Sequence, residues 1–340
     1  MATPHVAGTV ALMQSQRLAL GKALIPALEL EPLLKNAAYA FPAPCGGCGS
    51  GIVDANAAVN AAAGSSIKLS EHTDASGRIT VAIFARSAPS AQAHFTDFAI
   101  EVPSDYVVIG GGAEGRAAPN GNMLTASYPN ATLSAWLVSS KDHRLPDPVA
   151  IRGWAIGVKI AGLSRQEVRD AITVSSTVSG YAAHPNASAT LPAGYVLIGG
   201  GFRVDWSGEG NLGVSSYPGS AIGWNVQSKD VRVSSPAYIR AYAIGIRDQI
   251  ANVGNLRNSI GYTTSAYAAH PAANTTLQSG FALTSCGANG RYNSARPGNL
   301  LWRIQPVDNG TSRVCLANSK DHIDASPGYI DAYAIGLQAY

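Results

Sequence analysis

The pattern of hydrophobic and polar positions divides the chain into two unlike parts. Near the start, apolar side chains recur at helical spacing over 6–20, 28–37 and 54–63, which predicts three helices. After residue 78 the chain becomes rich in Gly, Val, Thr, Ser, Tyr and Asn, in short runs that alternate apolar and polar residues. Such runs between turn formers predict β-strands. The polar stretch 64–78 between the two parts is predicted to be a linker.

The β-rich part repeats itself. Segment 106–112, which reads Tyr-Val-Val-Ile-Gly-Gly-Gly, returns with one change at 195–201 and with more changes at 281–287. Strands of similar sequence, ending in Ala-Ile-Gly, are predicted at 151–157, 239–245 and 330–336, which lie 88 and 91 residues apart. A unit of this length is long enough to be a small β domain. We therefore predict three tandem modules, called copies 1, 2 and 3, over 79–160, 161–248 and 249–340.

The glycine run at 110–112 predicts an irregular strand. Glycine lets a strand bulge or bend, and lets another backbone approach where a side chain would collide. A phosphate-binding loop would need a helix directly after the glycines. The next residues are Ala-Glu-Gly-Arg-Ala-Ala-Pro-Asn-Gly-Asn, a turn-rich stretch, so a phosphate site is not predicted.

Composition and charge narrow the class of protein. The chain has 340 residues, of which 46% are hydrophobic and 13% charged, with a formal net charge of +3. It is apolar enough to build a core, which excludes overall disorder, and its small charge does not predict a nucleic-acid partner. No apolar stretch reaches the roughly 18 residues of a membrane span, and no signal peptide is visible. The expected fold is mainly β, with a small N-terminal helical segment and three all-β copies.

Four cysteines form two local groups. Cys45 and Cys48 enclose two glycines, a spacing compatible with a redox pair, half of a zinc site or a short-loop disulfide. No nearby pattern supplies the further ligands of a zinc site or the strand and helix start of a redox site, so we expect neither a metal nor a cofactor. Cys286 and Cys315 both fall in copy 3, and we expect them to pair in a disulfide within that copy.

A Ser-Lys-Asp motif occurs once in each copy and offers candidate polar chemistry. The aspartates of the motif are Asp142, Asp230 and Asp321, and the residues that directly follow them are His143, Val231 and His322. Each copy also has a histidine at a comparable place before the motif, namely His94, His184 and His270. An Asp with a His is compatible with a catalytic or metal-binding pair. We favour the alternative in which each Asp caps a turn by accepting backbone N–H groups, with Ser and Lys solvated around it.

Recurrent aromatic residues are the remaining candidates for ligand binding. If they face outward near the three aspartates, they form stacking platforms with a polar clamp, as suits a sugar ring or a peptide; if they face inward, they belong to the core. These residues are Tyr128, Trp136, Tyr217, Trp224 and Trp302.

The start of the chain carries its most specific motif. Residues 1–8 read Met1-Ala2-Thr3-Pro4-His5-Val6-Ala7-Gly8, and 45–55 read Cys-Gly-Gly-Cys-Gly-Ser-Gly-Ile-Val-Asp-Ala. Over about 1–63, this sequence resembles the end of the catalytic domain of secreted bacterial subtilisin-like serine proteases (subtilases). In that family the first motif lies on the helix that directly follows the nucleophilic serine.

The resemblance implies a fragment without its catalytic set. The nucleophile is expected immediately before Met1, and the family's catalytic Asp, His and oxyanion-hole Asn precede the serine, so none maps onto a residue here. By the same pattern, His5 is a packed helix residue and not the catalytic histidine. The resemblance also favours a Cys45–Cys48 disulfide and a secreted, extracellular protein.

Two binding-related functions and one purely structural role follow as hypotheses; in the structural role the β copies are spacers or aids to autotransport, which outward-facing aromatic residues would disfavour. In the first, the chain is the C-terminal piece of a secreted serine endopeptidase, inactive alone, whose β copies bind the protein substrate or a surface. In the second, it is a non-catalytic secreted repeat protein that binds carbohydrate or protein. Weak sites repeated along one chain would raise the overall affinity in either case.

Overall fold

The N-terminal segment forms three helices, close to the predicted positions. The computed structural model describes residues 2–19, 24–25, 27–39, 41, 49–64, 66–291 and 299–340, and its first helices are α1 (Ala2–Ala19), α2 (Ala27–Ala37) and α3 (Ala55–Ala63). Asp54 caps α3 by accepting the backbone N–H of Ala57, and Gly64 ends it in the left-handed conformation. A small core that includes Met13, Leu33 and Ala58 joins the helices. None of the described helices is long and apolar enough to cross a membrane.

The rest of the described chain is built of antiparallel strands. The first seven are β1 (Ile67–Thr73), β2 (Ile79–Ser87), β3 (His94–Glu101), β4 (Val107–Glu114), β5 (Asn122–Pro129), β6 (Ala135–Asp142) and β7 (Arg152–Ile160). A short helix, α4 (Arg165–Asp170), precedes β8 (Ile172–Val178), β9 (Asn186–Thr190), β10 (Tyr195–Asp205), β11 (Leu212–Ser220), β12 (Gly223–Lys229) and β13 (Tyr238–Arg247). The last seven are β14 (Gln249–Ile250), β15 (Gly254–Thr264), β16 (Ala272–Thr276), β17 (Ala282–Asn289), β18 (Leu300–Asp308), β19 (Arg313–Lys320) and β20 (Asp331–Ala339).

These elements confirm the mainly β fold class and correct one boundary. Strands β7, β13 and β20 lie where the three matching strands were predicted. The stretch 64–78 is not a simple linker, however, because β1 pairs with β2 from Ile67 to Thr73. Its alternation of polar and apolar residues was too weak to distinguish an edge strand from a polar connection.

The strands form three sheets, and each sheet combines two copies. The orders are β1-β2-β7-β4-β18-β19-β16 in sheet 1, β3-β6-β5-β10-β13-β8 in sheet 2 and β14-β15-β20-β17-β11-β12-β9 in sheet 3. Copy 1 therefore pairs with copy 2, copy 2 with copy 3, and copy 3 with copy 1, which closes a ring. Among the described strands, no copy completes a sheet alone, which corrects the expectation that each copy is a small domain in its own right.

The glycine-rich strands β4, β10 and β17 meet at the centre of this ring. A Cβ on Gly110 would collide with the carbonyl of Thr284, and one on Gly199 with the carbonyl of Ile109. In each strand the pairing register also shifts at the same position, as at Val108/Gly110. The predicted bulge and close backbone approach are therefore confirmed.

The second glycine of the run makes room for a buried tryptophan. A Cβ on Gly111 would meet the ring of Trp136, and one on Gly200 the ring of Trp224. Both rings are buried. Nε1–H of Trp136 donates to the hydroxyl of Ser127 at 2.8 Å, and Nε1–H of Trp224 donates to that of Ser216 at 2.9 Å. These tryptophans are thus core residues.

Candidate functional site

The loops that follow the three Ser-Lys-Asp motifs meet at one end of the β-rich part, which we call the loop end. The loops of copies 1 and 3 touch through His143 and His322, and those of copies 2 and 3 are joined by an Arg232–Asp324 ion pair. Each loop turns through one residue with positive φ, namely Arg144, Arg232 and Ile323. The candidate polar residues of all three copies therefore gather at one end of the molecule.

The aspartate of each Ser-Lys-Asp motif caps the turn that follows it. Oδ2 of Asp142 accepts the backbone N–H five residues later at 3.0 Å, and the corresponding distances for Asp230 and Asp321 are 2.9 and 3.3 Å. These bonds hold the shape of the loops, and the aspartates are largely buried.

The other carboxylate oxygen of each aspartate pairs with a histidine. The Nε2···Oδ1 distance is 3.0 Å for His94–Asp142 and 3.2 Å for both His184–Asp230 and His270–Asp321, and each histidine side chain is about half exposed. Each aspartate therefore caps a turn, as favoured from the sequence, and also contacts an imidazole. Such a pair can donate or accept a proton or hydrogen-bond a ligand.

An asparagine that sequence reasoning missed connects each pair to the neighbouring loops. Its side-chain N–H₂ donates to two backbone carbonyls, one of which belongs to the residue before the paired histidine, as Ala93 does for Asn122. The three residues are Asn122, Asn211 and Asn299. Their recurrence beside the start of β5, β11 and β18 was the available signal.

The motif lysines are buried, contrary to the expectation that they are solvated. Nζ of Lys320 donates to the carbonyls of Ala117 and Asn120 at 2.7 and 2.8 Å, and Nζ of Lys141 donates to the carbonyl of Glu209. In both cases the acceptor belongs to the next copy of the ring. The motif serines are also buried. The motif therefore joins copies, which the sequence could not show because the acceptors are backbone atoms.

Two histidines lie buried where the loops meet. Nε2 of His322 is 3.0 Å from Nδ1 of His143 and 3.0 Å from its carbonyl oxygen. Burial lowers the pKa of His143 to about 4, an effect reinforced by His322, Lys141 and Arg144 and opposed by Asp142. Burial also lowers the pKa of His322. Both imidazoles are consequently neutral near pH 7 and serve packing.

The predicted aromatic candidates do not form open platforms. Trp136 and Trp224 lie in the core, so neither can stack on a ligand. Tyr128 is buried, stacks on Tyr242 at 5.1 Å and donates to Asp97; burial and this carboxylate raise its pKa above the usual range.

The last two candidates are half-buried. Tyr217 stacks on Tyr333, whose other neighbour in the stack is the exposed Tyr262. Trp302 lies beneath the guanidinium of Arg303, 5.0 Å from its ring centroid. Both side chains are therefore engaged with neighbouring residues on the sheets.

Exposed tyrosine pairs at the loop end were missed by sequence reasoning. Tyr181 lies 5.1 Å from Tyr238 in copy 2, and Tyr267 lies 5.1 Å from Tyr329 in copy 3, measured between ring centroids. Each pair flanks the short loop that carries the paired histidine. The repeat of Tyr-Ala-Ala-His before this loop was a signal that could have found them.

The helical segment contributes no assembled catalytic site among the described residues. Residues 2–8 of the protease-like motif lie on α1, where His5 is exposed to solvent and is not buried in a core as expected. Met1 and the Cys45–Cys48 pair lie outside the described residues. The expected Cys286–Cys315 disulfide is present, with Cα atoms 5.4 Å apart. In the described part of the chain, no three His, Cys, Asp or Glu side chains are grouped to hold a metal ion.

A cavity of about 360 Å³ separates the helices from sheet 1. Its lining includes Tyr39 and Asp54 on the helical side and Arg86 and Arg152 on the sheet. A second cavity of about 150 Å³ lies between Arg17 and Pro89. The helical segment thus lies against copy 1, near the loop end.

Comparison with known proteins relates a short part of the chain to secreted proteases. A stretch of 63 residues is 60% identical to an extracellular protease of Xanthomonas campestris pv. campestris and covers 18% of this chain and 10% of that protein. A stretch of 65 residues is 49% identical to an extracellular basic protease of Dichelobacter nodosus and covers 19% of this chain and 11% of that protein. The chain spans about a tenth of the length of these curated relatives, and no protein-family model matches it. This similarity shows that a short segment of the chain is related to secreted bacterial proteases.

Proposed function

We propose that this chain is the C-terminal piece of a secreted subtilisin-like endopeptidase, and that its β-rich part binds the protein substrate. The observation that carries the lineage is the pair of motifs at 1–8 and 45–55, found in the order of that family. The matched stretches of 63 and 65 residues are close in length to the proposed protease segment, 1–63, and both relatives are named as extracellular proteases.

The chain alone is proposed to be catalytically silent. Serine hydrolysis needs a nucleophile, a base within hydrogen-bond reach and donors for the oxyanion. The family's residues for these roles do not map onto this sequence. Incubation of the purified chain with a fluorogenic peptide mixture should give no turnover. Turnover that a serine-directed inhibitor abolishes would overturn this part of the proposal.

Binding by the β-rich part is supported by its construction. Three sheets shared among the copies form one continuous core, which holds the loop end without the help of the helical segment. The loop end carries half-exposed histidines, which can hydrogen-bond a ligand, and exposed tyrosines, a residue type that contributes strongly to protein recognition. A rigid scaffold that presents such loops is a common design for binding.

Co-sedimentation tests this binding role. The full chain is mixed with resin that carries reduced, carboxymethylated α-lactalbumin, an unfolded protein, and separately with cellulose and chitin. Retention on the protein resin, but not on the polysaccharides, is expected. Retention on a polysaccharide alone would replace the proposal by the carbohydrate-binding alternative, and retention on none of the three would contradict both.

A further inference from the structure

Strand β8 lies at an open edge of sheet 2. Among the described strands, only β13 pairs with it. An open edge strand offers a row of backbone N–H and C=O groups to another extended chain, and charged residues or proline commonly protect it. β8 reads Ile-Thr-Val-Ser-Ser-Thr-Val and has neither. We infer that β8 binds an extended segment of the protein substrate, which adds to sheet 2 as an antiparallel strand; this inference rests on the proposed function.

The hydrogen bonds at the two ends of β8 show which of its backbone groups are open. Ala171 accepts a hydrogen bond from β13 at one end, and Ser179 donates one to β13 at the other. The register between the two strands does not shift, and in an antiparallel pair alternate residues bond to the partner strand. The N–H groups of Val174, Ser176 and Val178 therefore face the open side. All three residues are exposed.

The matching strand of copy 1 already carries such an added strand. In sheet 1, β2 lies beside β7 as β8 lies beside β13 in sheet 2. The outer side of β2 is occupied by β1, which pairs antiparallel with it from Ile67 to Thr73. No residue of β1 is fully buried, so this pairing does not depend on deeply packed side chains. The fold thus accepts an extended segment at this position of a sheet.

The matching strand of copy 3, β15, is better protected than β8. β14 pairs with its first residues, and the N–H of Leu256 donates to the carbonyl of Asp248. β15 also carries Arg257, a charge of the kind that protects an edge. Of the three matching strands, β8 is therefore the one most open to a further strand.

The composition of β8 favours an unfolded protein as the source of that strand. In strand addition the backbone hydrogen bonds supply affinity, and side-chain pockets supply specificity. Because β8 carries no charged side chain, it places no charge requirement of its own on the added segment. Such an edge suits segments of varied sequence, as an unfolded protein presents them. A folded second copy of the chain would have to bring an open edge of its own alongside.

Hydrogen exchange of the full chain, measured by mass spectrometry, tests the inference. The chain is compared with and without reduced, carboxymethylated α-lactalbumin. Exchange in segment 172–178 should be slower in the complex, because the open N–H groups of Val174, Ser176 and Val178 become bonded. Exchange in segment 254–264, which contains β15, should not change.

A proline variant tests the same contact by affinity. Ser176→Pro removes one open N–H and leaves the bonds to β13 in place, since proline is tolerated where the N–H of an edge strand faces solvent. It should weaken binding of the unfolded protein at least fivefold. The matched control is Asn274→Pro, in the middle of the edge strand β16, where the N–H also faces away from the sheet and the side chain is exposed. The control should bind like the parent, and circular dichroism checks that both variants fold.

Each alternative result has a definite meaning. If the complex forms but exchange in segment 172–178 is unchanged, or if folded Ser176→Pro binds as tightly as the parent, the inference fails while the proposed function stands. If the parent does not bind the unfolded protein, the proposed function fails and the inference fails with it. Slower exchange of segment 172–178 at higher chain concentration, without α-lactalbumin, would assign the edge to a second copy and overturn the inference. If Ser176→Pro does not fold, the exchange of the parent chain decides.

Discussion

Cys286 and Cys315 form a disulfide at the two positions that glycine and tryptophan occupy in the other copies. In copies 1 and 2 the ring of Trp136 or Trp224 covers a glycine, whereas in copy 3 the same space between neighbouring strands is filled by the cystine. In copies 1 and 2 a serine hydroxyl accepts the N–H of the tryptophan. In copy 3 the tryptophan N–H is absent, and Ile304 stands in the place of that serine. The same space between strands is thus filled by a tryptophan ring over a glycine in two copies and by a disulfide in the third.

This substitution pattern predicts a rescue. Cys286→Ala/Cys315→Ala should lower the free energy of unfolding by about 3–4 kcal/mol, because a 29-residue loop is no longer constrained in the unfolded chain. Cys286→Gly/Cys315→Trp/Ile304→Ser rebuilds the arrangement of copies 1 and 2 and should recover part of this loss. Urea unfolding at equilibrium measures both. A triple variant no more stable than the double alanine variant would refute the equivalence.

The tryptophan site also predicts a strict requirement for glycine. Gly200→Ala should destabilise the protein by about 1–3 kcal/mol, since its Cβ would enter the ring of Trp224 and approach the carbonyl of Tyr242. The matched control is Gly261→Ala, in another strand, whose Cβ would be 3.8 Å from a methyl group of Thr275. The control should change stability by less than about 0.5 kcal/mol. Equal effects of the two changes would show that packing against Trp224 is unimportant.

Much of this fold could be predicted from the sequence because its signals are local. Helix α3 was marked by the helical spacing of apolar residues over 54–63, and the matching strands by their alternation. The bulge at the glycine runs followed from backbone sterics alone. Sharing of sheets between copies could not be predicted, because the residues that pair across copies, such as Phe202 with Ser127, carry no mark of their partner.

The candidate site was predicted in part. The repeated motif singled out Asp142, Asp230 and Asp321, which lie together at the loop end, but the direction of a side chain depends on which face its neighbours cover. Trp136 therefore turned out to be core, and Lys320 a buried donor. The exposed tyrosine pairs were overlooked because tyrosine is common in strands for reasons of packing, and exposure cannot be read from composition.

The buried motif lysines predict a cost for losing their charge. Lys320→Met should destabilise the protein by about 1–3 kcal/mol, because it leaves the carbonyls of Ala117 and Asn120 without their donor. Burial lowers the pKa of Lys320, which shows that the ammonium is held against a desolvation penalty. The control Lys68→Met removes an exposed ion pair with Glu71 and should cost about 0.5 kcal/mol or less. Thermal unfolding of both variants compares them; a smaller loss for Lys320→Met would contradict the joining role.

Acid should weaken the contact between the loops of copies 1 and 3. The pKa of His143 is about 4 in the folded protein and about 6.5 in an unfolded chain. The unfolded state therefore binds the proton more readily, so the stabilisation is complete above about pH 6.5 and is lost as the pH falls towards 4. His143→Val, which copies Val231, should make the fall in stability over this range shallower. Urea unfolding at several pH values between 7 and 4 measures it; an unchanged slope would exclude His143 as a cause.

The most direct test of the central claim, that the β-rich part binds protein substrate, is surface plasmon resonance of the full chain over immobilised reduced, carboxymethylated α-lactalbumin. Saturable binding that leaves the immobilised protein uncleaved is the predicted result. Absence of saturable binding by the parent chain up to its highest soluble concentration would contradict the account.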